Sequence, residues 1–154
     1  MPLTLVKSLH DCLISIIFMS KMYEYLAANT QSEPAQRLLK KFAEDEKNNL
    51  AMISTLYEAA TGTLFLAPEL PQITLPDYHT ALLECIIHEF AAIDNYKTLS
   101  TKLQVADLGV SLHQLLQCKV RHGYGLLVLI TPDDISLDPS NVATNLSAHA
   151  KRDI

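Results

Sequence analysis

Five polar residues stand where a helical reading of this chain puts its core. Glu46 falls in the stripe Leu39, Phe42, Ala43, Glu46, Asn49, Leu50, Ile53, which has the three-and-four spacing of one helix face. Asn49 lies three residues beyond Glu46 and shares that face. Glu89 falls in the stripe Leu82, Cys85, Ile86, Glu89, Ile93, Tyr96, Leu99. Lys119 and His122 fall in the stripe Leu112, Leu115, Leu116, Lys119, His122, Leu126, Ile130. An isolated buried charge is very costly, so such groups must pair with one another or hold a metal. Each lies near the middle of its segment, which predicts that they meet at one level of the fold.

Two chemistries follow. In the first, Glu46, Glu89 and His122 hold one ion, since two carboxylates and an imidazole suit iron, manganese or zinc. Lys119 opposes it, because an ammonium beside a divalent cation is strongly repelled unless it gives up its proton. In the second, Lys119 itself supplies the balancing charge. Glu46 and Glu89 pair with it, and His122 and Asn49 complete the hydrogen bonding. One cation against two carboxylates leaves a residual negative charge, so either His122 is protonated or one glutamate holds a proton. The second chemistry is the main expectation, with no cofactor; iron or manganese is the alternative.

These residues need four helices to position them. The first segment runs from about Leu3 to Ala28, apolar around much of its circumference. A polar break at Asn29 to Glu33 precedes Pro34, which suits the first turn of a second helix running to about Ala60. Gly62 is a natural stop. Residues 63–76 carry Pro68, Pro71 and Pro76 and form a long link. Asp77 is placed to cap a third helix that reaches about Lys102, and a fourth runs from about Val105 to Ile130. The fold class is therefore all-α, an up-down four-helix bundle with a long crossover between its second and third helices. The bundle occupies residues 1–135, with one short helical turn possible after Thr131, and residues 136–154 form a polar tail.

The motifs resemble those of the ferritin-like superfamily, in particular its rubrerythrin-type branch. Phe42-Ala43-Glu44-Asp45-Glu46-Lys47-Asn48-Asn49 is similar to that family's Glu-x-x-His helix with Asn49 in place of histidine. Glu89-Phe90-Ala91-Ala92-Ile93-Asp94-Asn95-Tyr96 is similar to its lone-glutamate helix followed by tyrosine. Lys119-Val120-Arg121-His122 is similar to its second Glu-x-x-His with Lys119 in place of glutamate. The resemblance spans about residues 5–130 and implies a di-iron centre between the helices. Three of six ligand positions depart from that pattern: Asn49, Lys119, and the first-helix position, which is Ile16 or Phe18 according to register. Glu46, Glu89 and His122 match. The resemblance thus implies a ferritin-like protein without di-iron catalysis, acting as a structural or protein-interaction bundle. The alternative it implies is a metal-binding oxidoreductase or peroxide scavenger of rubrerythrin type.

Composition excludes several other classes. The chain has 154 residues, a net charge of −5 and no basic run longer than Lys40-Lys41, which argues against a nucleic-acid partner. Four glycines are too few for phosphate loops or a β-rich fold. Cys12, Cys85 and Cys118 show no paired spacing and read as buried free thiols in a reducing compartment, so the chain is expected in the cytoplasm. The apolar run Leu13–Met19 is too short to cross a membrane. The surplus of Ile, Leu and Met in the first helix predicts a dimer. His88 is expected at the surface or an interface, His10, His113 and His149 on or near the surface, and Tyr23, Tyr25 and Tyr96 as hydrogen-bonded caps on the core.

Overall fold

A computed structural model describes residues 3–70, 73–74, 77–102 and 106–131. It contains four helices: α1 (Leu3–Asn29), α2 (Glu33–Thr61), α3 (Tyr78–Lys102) and α4 (Ala106–Ile130). The described residues include no strand. The expected polar tail 136–154, its His149 and the turn after Thr131 lie outside the described residues.

Local chemistry sets the helix ends. Ser32 accepts a hydrogen bond from Ala35 N and so caps α2, with Pro34 in the first turn where a missing N–H costs nothing. Gly62 closes α2 in the left-handed region (φ 71°) and donates its N–H to Glu58 O at 2.8 Å. Asp77 caps α3 by accepting from Thr80 N and Thr80 Oγ1, both at 2.8 Å. Those two donors, the backbone one first, hold its carboxyl below the ordinary range.

α1 packs most extensively on α2 and α3 on α4, while α1 also meets α3 and α2 meets α4. The helices therefore form a ring in the order α1, α2, α4, α3. One end of the core gathers Met22 and Leu26 of α1, Leu39 and Phe42 of α2, Leu82 of α3 and Leu126 of α4. The other gathers Leu5 and Leu9, Ile53, Leu99 and Leu112. The start of α2 thus shares an end with the start of α3, and the helices run up, down, down, up. Strict alternation breaks at the crossover, which must travel the length of the bundle. Residues 63–77 reach roughly 50 Å when extended, and a 29-residue helix is about 43 Å long, so the link is long enough.

The two apolar clusters do not merge. Between them lies a polar layer of Glu46, Asn49, Glu89, Lys119 and His122, all buried. No described helix is long and apolar enough to cross a membrane.

Candidate functional site

Each helix delivers its share of the layer by register. On α2, Glu46 and Asn49 continue the face set by Leu39 and Phe42. On α4, Lys119 and His122 sit three apart on one face between Leu115 and Leu126. On α3, Glu89 stands between Cys85 and Ala92. α1 offers no carboxylate here. Of its two candidate positions, Ile16 is wholly buried, whereas Phe18 is half-buried and packs on the ring of His88 at 4.9 Å. Ile16 is the inward residue.

Lys119 Nζ lies 2.6 Å from Glu46 Oε1 and 3.4 Å from both oxygens of Glu89. All three side chains have no solvent exposure. Burial alone would pull the lysine pKa down, but Glu89 and Glu46 outweigh it and raise it above the ordinary value. Glu89 shows the converse. Burial opposes its charge, yet Lys119 and His122 keep its carboxyl below the usual range. The Tyr23 hydroxyl donates to Glu89 Oε1, and burial followed by that carboxylate pushes the phenol well above its ordinary pKa.

His122 joins two groups of partners. Its Nδ1 lies 3.1 Å from Glu46 Oε1 and 3.5 Å from Glu89 Oε1. These are charge contacts rather than aligned hydrogen bonds, because Nδ1, Glu46 Oε2 and Glu89 Oε2 have no well-directed partner. Its Nε2 lies 3.3 Å from Asp45 Oδ2 and 3.4 Å from Cys118 Sγ. Burial opposes a charge on this ring, but Cys118, Glu46 and Glu89 together raise its pKa to about 11. The raised pKa favours a charged His122, which would set a second cation beside Lys119 against the Glu46 and Glu89 side chains.

The layer therefore brings Glu46, Glu89, Lys119 and His122 together as the stripes predicted. Asn49 is the exception. It was expected to hydrogen-bond within the carboxylate cluster, but its Nδ2 donates to Cys118 Sγ at 3.5 Å. The short amide, on the α2 face turned to α4, meets the thiol first. Asp45 was missed. It is buried and meets Arg121 Nη2 at 2.9 Å, Lys41 Nζ at 2.9 Å and His122. Its i,i+4 spacing from Lys41 was visible in the sequence, but the approach of Arg121 from α4 was not. All three cysteines are buried free thiols as expected. His10 is exposed against the Phe65 ring, and exposed His113 meets Gln117.

The residues present do not fit a dinuclear metal centre. The Lys119 ammonium holds Glu46 at hydrogen-bond distance, so it takes up the space a bridging ion needs. Ile16 supplies no donor from α1. Glu46, Glu89 and His122 do bring one ligand atom each within 4.8 Å of one another, a spacing a single ion could use only after Lys119 moved away.

Fold and centre together define an all-α four-helix bundle with a buried ion-pair cluster at mid-height. The chain is similar in structure to a hypothetical protein from Pyrococcus furiosus, with a TM-score of 0.72, 18% sequence identity, and coverage of 82% of this chain and 87% of that one. At that identity the likeness shows the fold alone. No protein-family model matches the chain, and no curated protein matches it.

Proposed function

We propose that this chain is a ferritin-like bundle converted from metal catalysis to a structural and protein-interaction role. The observation that carries this reading is the contact of Lys119 with Glu46 at 2.6 Å, with Lys119 at the position the family resemblance assigns to the glutamate of its second Glu-x-x-His pair. An internal cation that balances the carboxylates removes the need for iron. The test is elemental analysis of protein purified without chelator. The reading expects no stoichiometric iron or manganese. Stoichiometric iron or manganese that disappears in both Glu46→Ala and Glu89→Ala would overturn it in favour of a rubrerythrin-type oxidoreductase. That second reading draws on the 4.8 Å grouping of Glu46, Glu89 and His122.

The interaction role draws on a different face. Leu83, Ile87 and Phe90 form an exposed stripe on α3, and Tyr124, Leu127 and Val128 form another on α4. The stripes adjoin, since the Phe90 ring packs beside Gly123. We commit this face to a second copy of the chain, because a two-fold axis lets one apolar patch cover itself. Free buried thiols agree with a reducing compartment such as the cytoplasm.

A further inference from the structure

Beside the cluster of Glu46, Glu89 and Lys119, toward the α2–α4 seam, a second group of ligand-type side chains converges: Asp45, Cys118 and His122. It lies on the opposite side of the His122 ring from Glu46 and Glu89. Cys118 and His122 share one face of α4 four residues apart, and Asp45 reaches across from α2. We propose that Asp45 Oδ2, Cys118 Sγ and His122 Nε2 form a binding site for one zinc-like divalent cation that staples α2 to α4. The inference goes beyond the proposed function and stands without it, since neither Glu46 nor Glu89 is a ligand.

The geometry carries it. Zinc bonds of about 2.0–2.3 Å at a tetrahedral angle put neighbouring donor atoms about 3.3–3.6 Å apart. His122 Nε2 lies 3.3 Å from Asp45 Oδ2 and 3.4 Å from Cys118 Sγ. All three ligand side chains are buried, and all three donor atoms lie within 4.8 Å of one another.

The surroundings suit a thiolate and a fixed imidazole. Asn49 Nδ2 donates to Cys118 Sγ at 3.5 Å, so one donor already points at the sulfur and stays in place when Arg121 leaves. Asn49 stands where the family resemblance would place a histidine, and its amide supports the sulfur instead. On the far side of the ring, Nδ1 faces the Glu46 and Glu89 carboxylates, the arrangement that orients a metal-bound histidine and leaves Nε2 for the ion.

Binding needs a thiolate at Cys118 and a free Nε2 on His122, so the ion displaces to solvent a proton from each group that carries one. The dication, the Cys118 thiolate, the Asp45 carboxylate and a neutral imidazole then sum to zero. Arg121 Nη2, 2.9 Å from Asp45 Oδ2, must swing aside, and its side chain is 61% exposed and free to do so. Lys41 Nζ, 2.9 Å from Asp45 Oδ1, bonds the oxygen that the ion does not need.

The test titrates the full chain, freed of metal, with zinc chloride and separately with cobalt chloride. The expected result is one ion per chain, a thiolate-to-cobalt charge-transfer band in the near ultraviolet, and a zinc-dependent rise in melting temperature. Cys118→Ser should abolish the band and weaken binding by about tenfold or more, with helicity by circular dichroism confirming that the variant folds. Arg121→Ala should tighten binding, because its guanidinium no longer competes for Asp45. Cys12→Ser, at a buried thiol outside the site, should leave the cobalt band in place. Absence of the band in the wild-type chain, or a band that survives Cys118→Ser and so comes from another thiol, would overturn the proposal.

Discussion

Lys119 Nζ and Glu46 Oε1 meet at 2.6 Å in the middle of the bundle, with neither side chain exposed to solvent. Removing one partner of such a pair costs more than the pair itself contributes, because the other charge stays buried. Lys119→Ala should therefore destabilise the fold by about 3–5 kcal/mol in urea unfolding. Replacing both partners, in Lys119→Met with Glu46→Gln, should recover much of that loss. A near-neutral Lys119→Ala would show that the lysine carries little of the charge balance.

The stability profile against pH follows from the same cluster. His122 has its pKa raised from 6.5 to about 11, so its contribution is fully present below pH 6.5 and is lost as pH rises toward about 11. Glu89 is depressed below 4.5, so its contribution is present above pH 4.5 and is lost as pH falls through its lower folded value. Maximal stability is expected between pH 4.5 and 6.5. Melting temperatures taken across pH should decline on the alkaline side well before lysines titrate, and His122→Gln should flatten that alkaline decline. A flat profile from neutral pH to the lysine range would refute a protonated His122.

Gly125 tests how closely α4 approaches α2. A Cβ there would stand 2.5 Å from Phe42 Cζ. Phe42 has little room to yield, since its ring packs on His122 at 4.2 Å and on Tyr23 at 5.4 Å. Overpacking costs about 1–3 kcal/mol, against about 1 kcal/mol gained by removing glycine from a helix. Gly125→Ala should therefore destabilise by up to about 2 kcal/mol, and a Phe42→Leu background should relieve it. Chemical denaturation of the three variants decides the matter.

The apolar face of α3 and α4 gives a prediction on assembly. Light scattering coupled to size exclusion should find a dimer, and Ile87→Asp, at a residue 63% exposed, should yield a folded monomer. A wild-type monomer at micromolar concentration would remove the second copy from the proposed role.

Much of the architecture was legible in the sequence because it depends on local chemistry. The helix-forming stripes, Pro34, Gly62 and Asp77 each act through their own turn of chain, so the four helices and their ends followed from spacing. The placement of Glu46, Glu89, Lys119 and His122 in one layer also followed, since a charge on an apolar stripe has only the other stripes to pair with.

What the sequence determined by itself was therefore the set of inward residues and the need for them to meet. Tertiary structure decided the rest. The choice of Ile16 over Phe18 depends on how α1 rotates against α3, where His88 takes the Phe18 ring. The direction of α3 depends on a crossover that returns along the bundle. The partnership of Asp45, Cys118, Arg121 and Asn49 depends on side chains more than sixty residues apart meeting across the α2–α4 seam. Such contacts are fixed by packing rather than by helical spacing, and hydrophobic periodicity does not encode them. The charge state of His122 was left open by the sequence, because it depends on which groups stand on each side of its ring.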